Sequence, residues 1–260
     1  MSIIKYKQLS NFTEIAHFCT TRDGGVSVGN YASFNLSPYS GDDKDCCLSN
    51  QKKMSERLGI DLSLLILPYQ THGTEIREIN ESFLQLPTNE RNRYLHGVDA
   101  LFTNLPEVCI GITTADCVPL LFFDPNARAI AAVHAGWRGT CAGIAEKTVK
   151  TMIEKYNCLA ENIRVAIGPS ISAEVYEVGK DVVDNFDAAG FDLTKIISVR
   201  NKKLHLDLWK SNQLLLEKSG ILKEHIEISG ICTYSEHKRF FSARRLGICS
   251  GRILSGIMLK

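Results

Sequence analysis

The chain has 260 residues, of which 44% are hydrophobic and 23% charged, with 30 basic against 29 acidic side chains. That composition supplies a large buried core, and a net charge of +1 leaves no electrostatic footprint for a nucleic-acid backbone. No apolar run approaches the roughly 20 residues that span a bilayer, and the N-terminal residues lack the basic flank and apolar stretch of a secretory signal.

Residues 1–7 alternate as a short strand, and residues 14–20 alternate into a second that runs into the turn-rich TTRDGGVSVGN. Residues 42–58 predict a helix. Acidic residues come first, Gly59 stands at the C-cap, and Cys46, Leu48, Met54 and Leu58 supply the apolar positions. Strands are expected at 64–69 and 74–79 around a tight Gln-Thr-His-Gly connection, and the polar segment 80–96 reads as a surface loop. Three short β-favouring runs follow at 107–113, 118–124 and 129–134. Residues 136–139 break the pattern, and a helix over 140–156 places Ile144, Thr148, Met152 and Ile153 on one face. Then come a strand at 163–167, a GPSIS turn, helices at 178–188 and 207–218, and strands at 226–230 and 252–259. There is no linker, repeat or low-complexity segment. The order fits one α+β domain over 1–260, with helices packed outside central sheets. The nine cysteines are odd in number and mostly lie in apolar strand-like runs, which fits a reduced cytoplasmic protein.

Three residues stand where the strand pattern stops. His72 lies in the turn of PYQTHGTE. Cys117 lies in GITTADCVPLLFFD, where an apolar run is interrupted and resumes after Pro119. His134 ends AIAAVHA, sharing a face with Ile130 and Ala132 by alternation. Each alone has an ordinary structural reading. Together, two imidazoles and a thiolate at strand ends make a zinc set that leaves the fourth position open for water. Their separations are far longer than those of a structural zinc finger, so the local sequences carry the assignment. Asp116 sits between two apolar runs, where a carboxylate needs a partner. It either satisfies backbone N–H groups at a bulge or acts as a general acid/base. GWRGT and GPSIS each precede a helical stretch, and Arg22, Arg138 and Arg244 stand near Gly or Ser. These and Ser170 are candidates for holding an anion such as phosphate.

QTHG, TADCVPLLFFDP, AAVHAGWRGT, GPSIS with a following YEVG, and CTYSEHKRFFSARR followed by GR resemble the YfiH family. The resemblance runs from TRDGGVS to the last residue. Members have been labelled polyphenol oxidases or laccases, and others purine nucleoside phosphorylases. The resemblance implies a layered α/β/β/α domain, similar in architecture to a toxin deamidase that uses a Cys–His pair. It implies metal ligation by His72, Cys117 and His134. It also implies phosphorolysis of adenosine, inosine and methylthioadenosine, with adenosine deamination. Some members are instead associated with amidase editing of peptidoglycan precursors, in which Cys117 would be a nucleophile with His134 as its base and Asp116 or His72 as the orienting group. The expected cofactor is one Zn2+, with Cu2+ possible at the same donors. The expected partners are a nucleoside and phosphate, with no nucleic acid and no membrane, and the chain is expected to be a monomer. A four-copper oxidase is excluded, because a blue site plus a trinuclear cluster needs more imidazoles than the seven present, and no His-X-His pair occurs.

Overall fold

Two sheets stacked face to face organise the chain, and the computed structural model describes residues 2–260 of it. The six-stranded sheet runs in the order Ile226–Ile228, Arg164–Ile167, Val118–Asp124, Ala129–Ala135, Ala100–Thr103, Ile76–Glu78. The five-stranded sheet runs Ile3–Ile4, Ile15–Thr20, Ile253–Leu259, Cys109–Thr114, Leu65–Ile66. A small third sheet joins Glu177–Val178, Lys203–Leu206 and Ile197–Arg200.

The period of two along a strand sorts side chains into layers. From Val118–Asp124, Leu120 and Phe122 face the helices Ile144–Tyr156 and Leu208–Lys218. Their neighbours Leu121 and Phe123 face the other sheet, against Ile110, Ile112, Ile253 and Ile257. On the far side of the five-stranded sheet, Phe18, Leu254 and Met258 pack with Met54 of the helix Lys44–Leu58. The architecture is therefore the α/β/β/α layering expected. The central strands are buried on both faces, which is why they read as nearly unbroken apolar runs.

Several local expectations differ from the structure. Residues 80–96 form two short helices, Glu81–Gln85 and Thr88–Tyr94, rather than a loop. Asn80 caps the first by accepting from the Phe83 N–H, and Pro87 stands at the N-cap of the second. Residues 136–139 do not simply break the chain: a helix over Trp137–Cys141 comes first, and the longer one starts only at Ile144, after Gly143 in the left-handed region. Helix Lys44–Leu58 starts two residues later than expected, after its N-cap Asp43, and ends as expected at the Gly59 cap; its buried face is Cys47, Asn50, Met54 and Ser55, with Leu48 exposed. The strand of 1–7 is Ile3–Ile4, and Met1 lies outside the described residues. The strands Ala100–Thr103, Ile197–Arg200 and Lys203–Leu206 were not anticipated.

In the five-stranded sheet, Gly256 stands opposite both Phe18 and Gly111. A Cβ at Gly256 would lie 2.5 Å from Cζ of Phe18, a fully buried ring. Gly256→Ala is expected to destabilise the fold by about 1–3 kcal/mol through overpacking. Thermal unfolding, with a fall of several degrees in Tm, checks this.

Candidate metal centre

The three residues singled out in the sequence meet where the chain passes from one sheet to the other. His72 lies on the connection from Leu65–Ile66 in the five-stranded sheet to Ile76–Glu78 in the six-stranded one. Cys117 lies on the connection from Cys109–Thr114 to Val118–Asp124, which also changes sheets. His134 is the penultimate residue of Ala129–Ala135, on the face it shares with Ile130 and Ala132. Among the described residues these three form the one group of His, Cys, Asp or Glu side chains close enough to share an ion, with ligand atoms all within 4.8 Å of one another. The two imidazole rings lie 4.8 Å apart at 76°. Space for them is kept by Gly136, where a Cβ would lie 3.1 Å from His72 and 3.2 Å from Sγ of Cys117.

Sequence reasoning missed the group that holds this arrangement. Asp99 is fully buried. Its carboxylate accepts from Nδ1 of His134 at 2.7 Å and from the backbone N–H groups of His72 (3.0 Å), Gly73 (2.7 Å) and Thr71 (3.3 Å). Burial opposes its ionisation, but the imidazole of His134 and these amides outweigh burial and hold the carboxyl below its usual range. With Nδ1–H committed to Asp99, Nε2 is the atom that carries the lone pair whenever the His134 ring is neutral. The same carboxylate fixes the 71–73 turn, in which His72 has φ 63°, in the left-handed region. A sequence signal existed: an aspartate standing immediately before the apolar ALF strand of HGVDALF.

Burial alone would raise the Cys117 thiol, yet His134 and His72 bring it down to about 6. Burial alone would lower His134, yet the Cys117 thiolate and Asp99 push it up to about 9. In metal-free protein these opposed shifts favour a thiolate beside an imidazolium. A cavity of about 320 Å³ opens onto His72, Cys117 and His134, and is also lined by Tyr39, Tyr69, Gln70, Thr114 and Arg252. The donor types, their spacing and the buried acceptor behind His134 fit a single metal ion.

The other predicted residues fall in different places. Asp116, at φ 83°, accepts from Thr233 Oγ1 (2.7 Å), Ser242 Oγ (3.0 Å) and the Arg244 backbone N–H (2.7 Å). This is the satisfied carboxylate that its setting between two apolar runs required. Arg22 is not available to an anion: Nε donates to Ala32 O, Nη1 donates to His237 O, and the guanidinium stacks over Phe241. Ser170 is buried, donates to Gly168 O and accepts from Nε1 of Trp209, so it too is closed to a ligand. Arg244 lies over Tyr176 and donates to Glu177 O. Arg138 is exposed over Trp137, and its guanidinium makes no hydrogen bond among the described residues. Both arginines and Cys117 act electrostatically on Tyr176, whose hydroxyl is raised by burial first and then by the Cys117 charge. All nine cysteines are free, and no helix is long and apolar enough to cross a membrane.

A two-sheet α/β/β/α fold with a His–Cys–His centre at the sheet crossings defines one class of protein. The family model described as "Multi-copper polyphenol oxidoreductase laccase" matches residues 16–260, and the chain belongs to that family. It is 46% identical to a Bacteroides thetaiotaomicron protein named purine nucleoside phosphorylase, over 99% of this chain and 96% of the relative. It is 42% identical to a protein named adenosine deaminase RL5 from an unknown prokaryotic organism, over 94% of this chain and 93% of the relative. The crystal structure of Bacillus licheniformis YfiH superposes with a TM-score of 0.91 at 30% identity, covering 100% of this chain and 97% of that one. YlmD from Geobacillus stearothermophilus superposes at 0.89 and 32%, covering 96% and 93%. Despite the multi-copper description, the described residues of this chain gather donors for one ion only.

Two outcomes follow from this geometry. Asp99→Asn removes the charge behind His134 and is expected to weaken metal binding by about 10–100-fold, read by chelator competition on protein whose fold is checked by circular dichroism. In metal-free protein, alkylation of Cys117 by iodoacetamide is expected to switch on as pH rises through about 6, because the thiolate is the nucleophile. Mass-spectrometric site mapping against pH checks it, and a midpoint at the ordinary thiol value refutes the thiolate–imidazolium pair.

Proposed function

We infer that the chain is a zinc-dependent enzyme of purine nucleosides, cleaving adenosine, inosine and methylthioadenosine by phosphorolysis and deaminating adenosine. The observation that carries this reading is the convergence of His72, Cys117 and His134 within 4.8 Å at the floor of a cavity of about 320 Å³. Support comes from the relatives named purine nucleoside phosphorylase and adenosine deaminase. Two imidazoles and one thiolate suit zinc, and three protein ligands leave a position open; Cu2+ competes for the same donors. Zinc held there supplies Lewis-acid activation of water near neutral pH.

The chain's own residues do the rest. Cys117 is already a thiolate, so it meets a cation without first losing a proton. Asp99 keeps Nε2 of His134 unprotonated once the imidazolium proton has left. Arg138 and Arg244 are carried on segments beside Cys117 and act together on Tyr176; they are the side chains suited to hold phosphate. Asp116 has both oxygens occupied, so its role is to fasten the segment bearing Arg244 beside Cys117 rather than to exchange protons.

A second reading has its own observation. Asp99, His134 and Cys117 form a series of acid, base and thiol, with the Nδ1 contact at 2.7 Å, which is the arrangement of a cysteine hydrolase or amidase. Here Asp99, and neither Asp116 nor His72, is the orienting group. Iodoacetamide separates the readings: a bound ion protects Cys117 until chelation, whereas a catalytic nucleophile is alkylated and inactivated at once.

The decisive experiment is metal analysis of purified protein, paired with product analysis on adenosine. Adenine formed only when phosphate is present reports phosphorolysis; inosine formed with or without phosphate reports deamination. Complete metal removal is expected to abolish the inosine product and zinc to restore it. Undiminished turnover of adenosine by metal-free protein would overturn the zinc reading.

A further inference from the structure

We propose that Tyr39 and Tyr69 form the wall on which the purine base stacks, an inference that rests on the nucleoside reading above. Both tyrosines line the cavity that opens onto His72, Cys117 and His134. Their rings lie 4.8 Å apart at 85°, and the ring of Tyr69 is stacked on His96 at 4.7 Å and 13°. The three rings brace one another, so little side-chain freedom is lost when a ligand arrives. Yet Tyr39 keeps 44% and Tyr69 37% of its surface exposed. Two braced aromatic rings left open beside a metal centre are a binding feature, since the fold had the option of burying them.

The polar groups of the same cavity narrow the ligand class. The side-chain amide of Gln70 is paired with the backbone of Thr113, accepting at 2.9 Å and donating at 3.0 Å. Both terminal nitrogens of Arg252 donate to carbonyls, those of Ile248, Ser250 and Gly251. The remaining apolar lining includes Ala243 and Ile248, the latter 81% exposed. The lining also includes the hydroxyl-bearing Ser37, Ser40 and Thr114, the last with a buried Oγ1 that has no hydrogen-bond partner among the described residues. Ring faces and apolar side chains with uncharged polar groups beside them suit a flat heterocycle with polar edges. Arg138 and Arg244 do not line this cavity.

Base–aromatic stacking is worth roughly 5- to 150-fold in affinity per base. Tyr39→Leu and Tyr69→Leu are expected to raise KM for inosine about tenfold or more with a smaller change in kcat, and to leave metal content unchanged. Tyr39→Phe and Tyr69→Phe, which keep the ring, are expected to rescue most of the loss. In metal-free wild-type protein, adenine alone is expected to bind by calorimetry and ribose alone is not. Leu variants that bind inosine as the wild type does, or metal-free protein that takes ribose as well as adenine, would overturn the stacking wall. Wild-type holoenzyme that neither binds nor turns over any purine nucleoside would instead overturn the reading on which it rests.

Discussion

A single buried carboxylate joins the parts of this molecule that have to agree. Asp99 takes one hydrogen bond from the imidazole of His134 and three from consecutive backbone amides of the 71–73 turn. A carboxylate with no solvent exposure is costly unless every lone pair is met, and here four N–H donors meet it. The consequence is geometric. One ligand stands on a strand of the six-stranded sheet and another on a loop crossing between sheets, and Asp99 sets the position of both. The left-handed backbone at His72, uncommon for a non-glycine residue, persists because its amide and the two beside it are pinned. The centre is assembled by the fold, and an ion arriving there finds its ligands in place.

The rest of the architecture explains why that carboxylate can be so exacting. Strands Val118–Asp124 and Ala129–Ala135 are buried along their whole length on both faces, and close-packed interiors do not deform gradually. Ligands mounted at the ends of such strands inherit that rigidity. Gly136 contributes by absence, since a methyl group there would reach the sulfur and the His72 ring together. Asp116, one residue from Cys117, repeats the Asp99 device on the other side of the trio. It gathers Thr233, Ser242 and the amide of Arg244 from the far end of the chain. Two buried aspartates thus tie three distant segments to one site.

This division accounts for what the sequence discloses. Each member of the trio alone has an ordinary reading; the three are legible because they fall at the ends or interruption of strands within long motifs that resemble those of a known family. The central strands and an α+β domain with helices outside its sheets are legible because apolar runs of strand length, interleaved with amphipathic helices, admit few packings; the α/β/β/α order of layers comes only with the family resemblance. Asp99 stands out only as an aspartate before an apolar strand, a signal that does not tell a turn cap from a carboxylate that gathers three amides. Arg22 misleads for a related reason. Arginine beside glycine suggests an anion loop, but this guanidinium satisfies the nearby Ala32 carbonyl together with the His237 carbonyl and the Phe241 ring, the last two over 200 positions away. Residues 80–96 look like a loop because they are polar, yet Asn80 and Pro87 supply helix starts that outweigh polarity over so short a stretch. The buried face of Lys44–Leu58 includes Asn50, which donates to Ser27, Ser33 and Asn35, so apolar periodicity found Met54 and Leu58 but missed the polar part of that face.

The Asp99–His134–Cys117 series bears on both readings of the site. Without an ion, the two shifts favour the proton on His134 and a thiolate at Cys117. An ion must displace that imidazolium proton, so metal and proton compete for Nε2 of His134 and affinity falls as pH drops. Asp99 enters both states with opposite effect. It stabilises the imidazolium, which favours the nucleophile, and it strengthens the neutral imidazole as a donor, which favours the metal. His72 breaks the symmetry. A cysteine hydrolase needs one base and one orienting acid, and Asp99 with His134 already fills both roles. A second imidazole, held within 4.8 Å by a pinned left-handed turn, is redundant for a nucleophile and required for a three-ligand ion, which is the physical reason the metal reading ranks first.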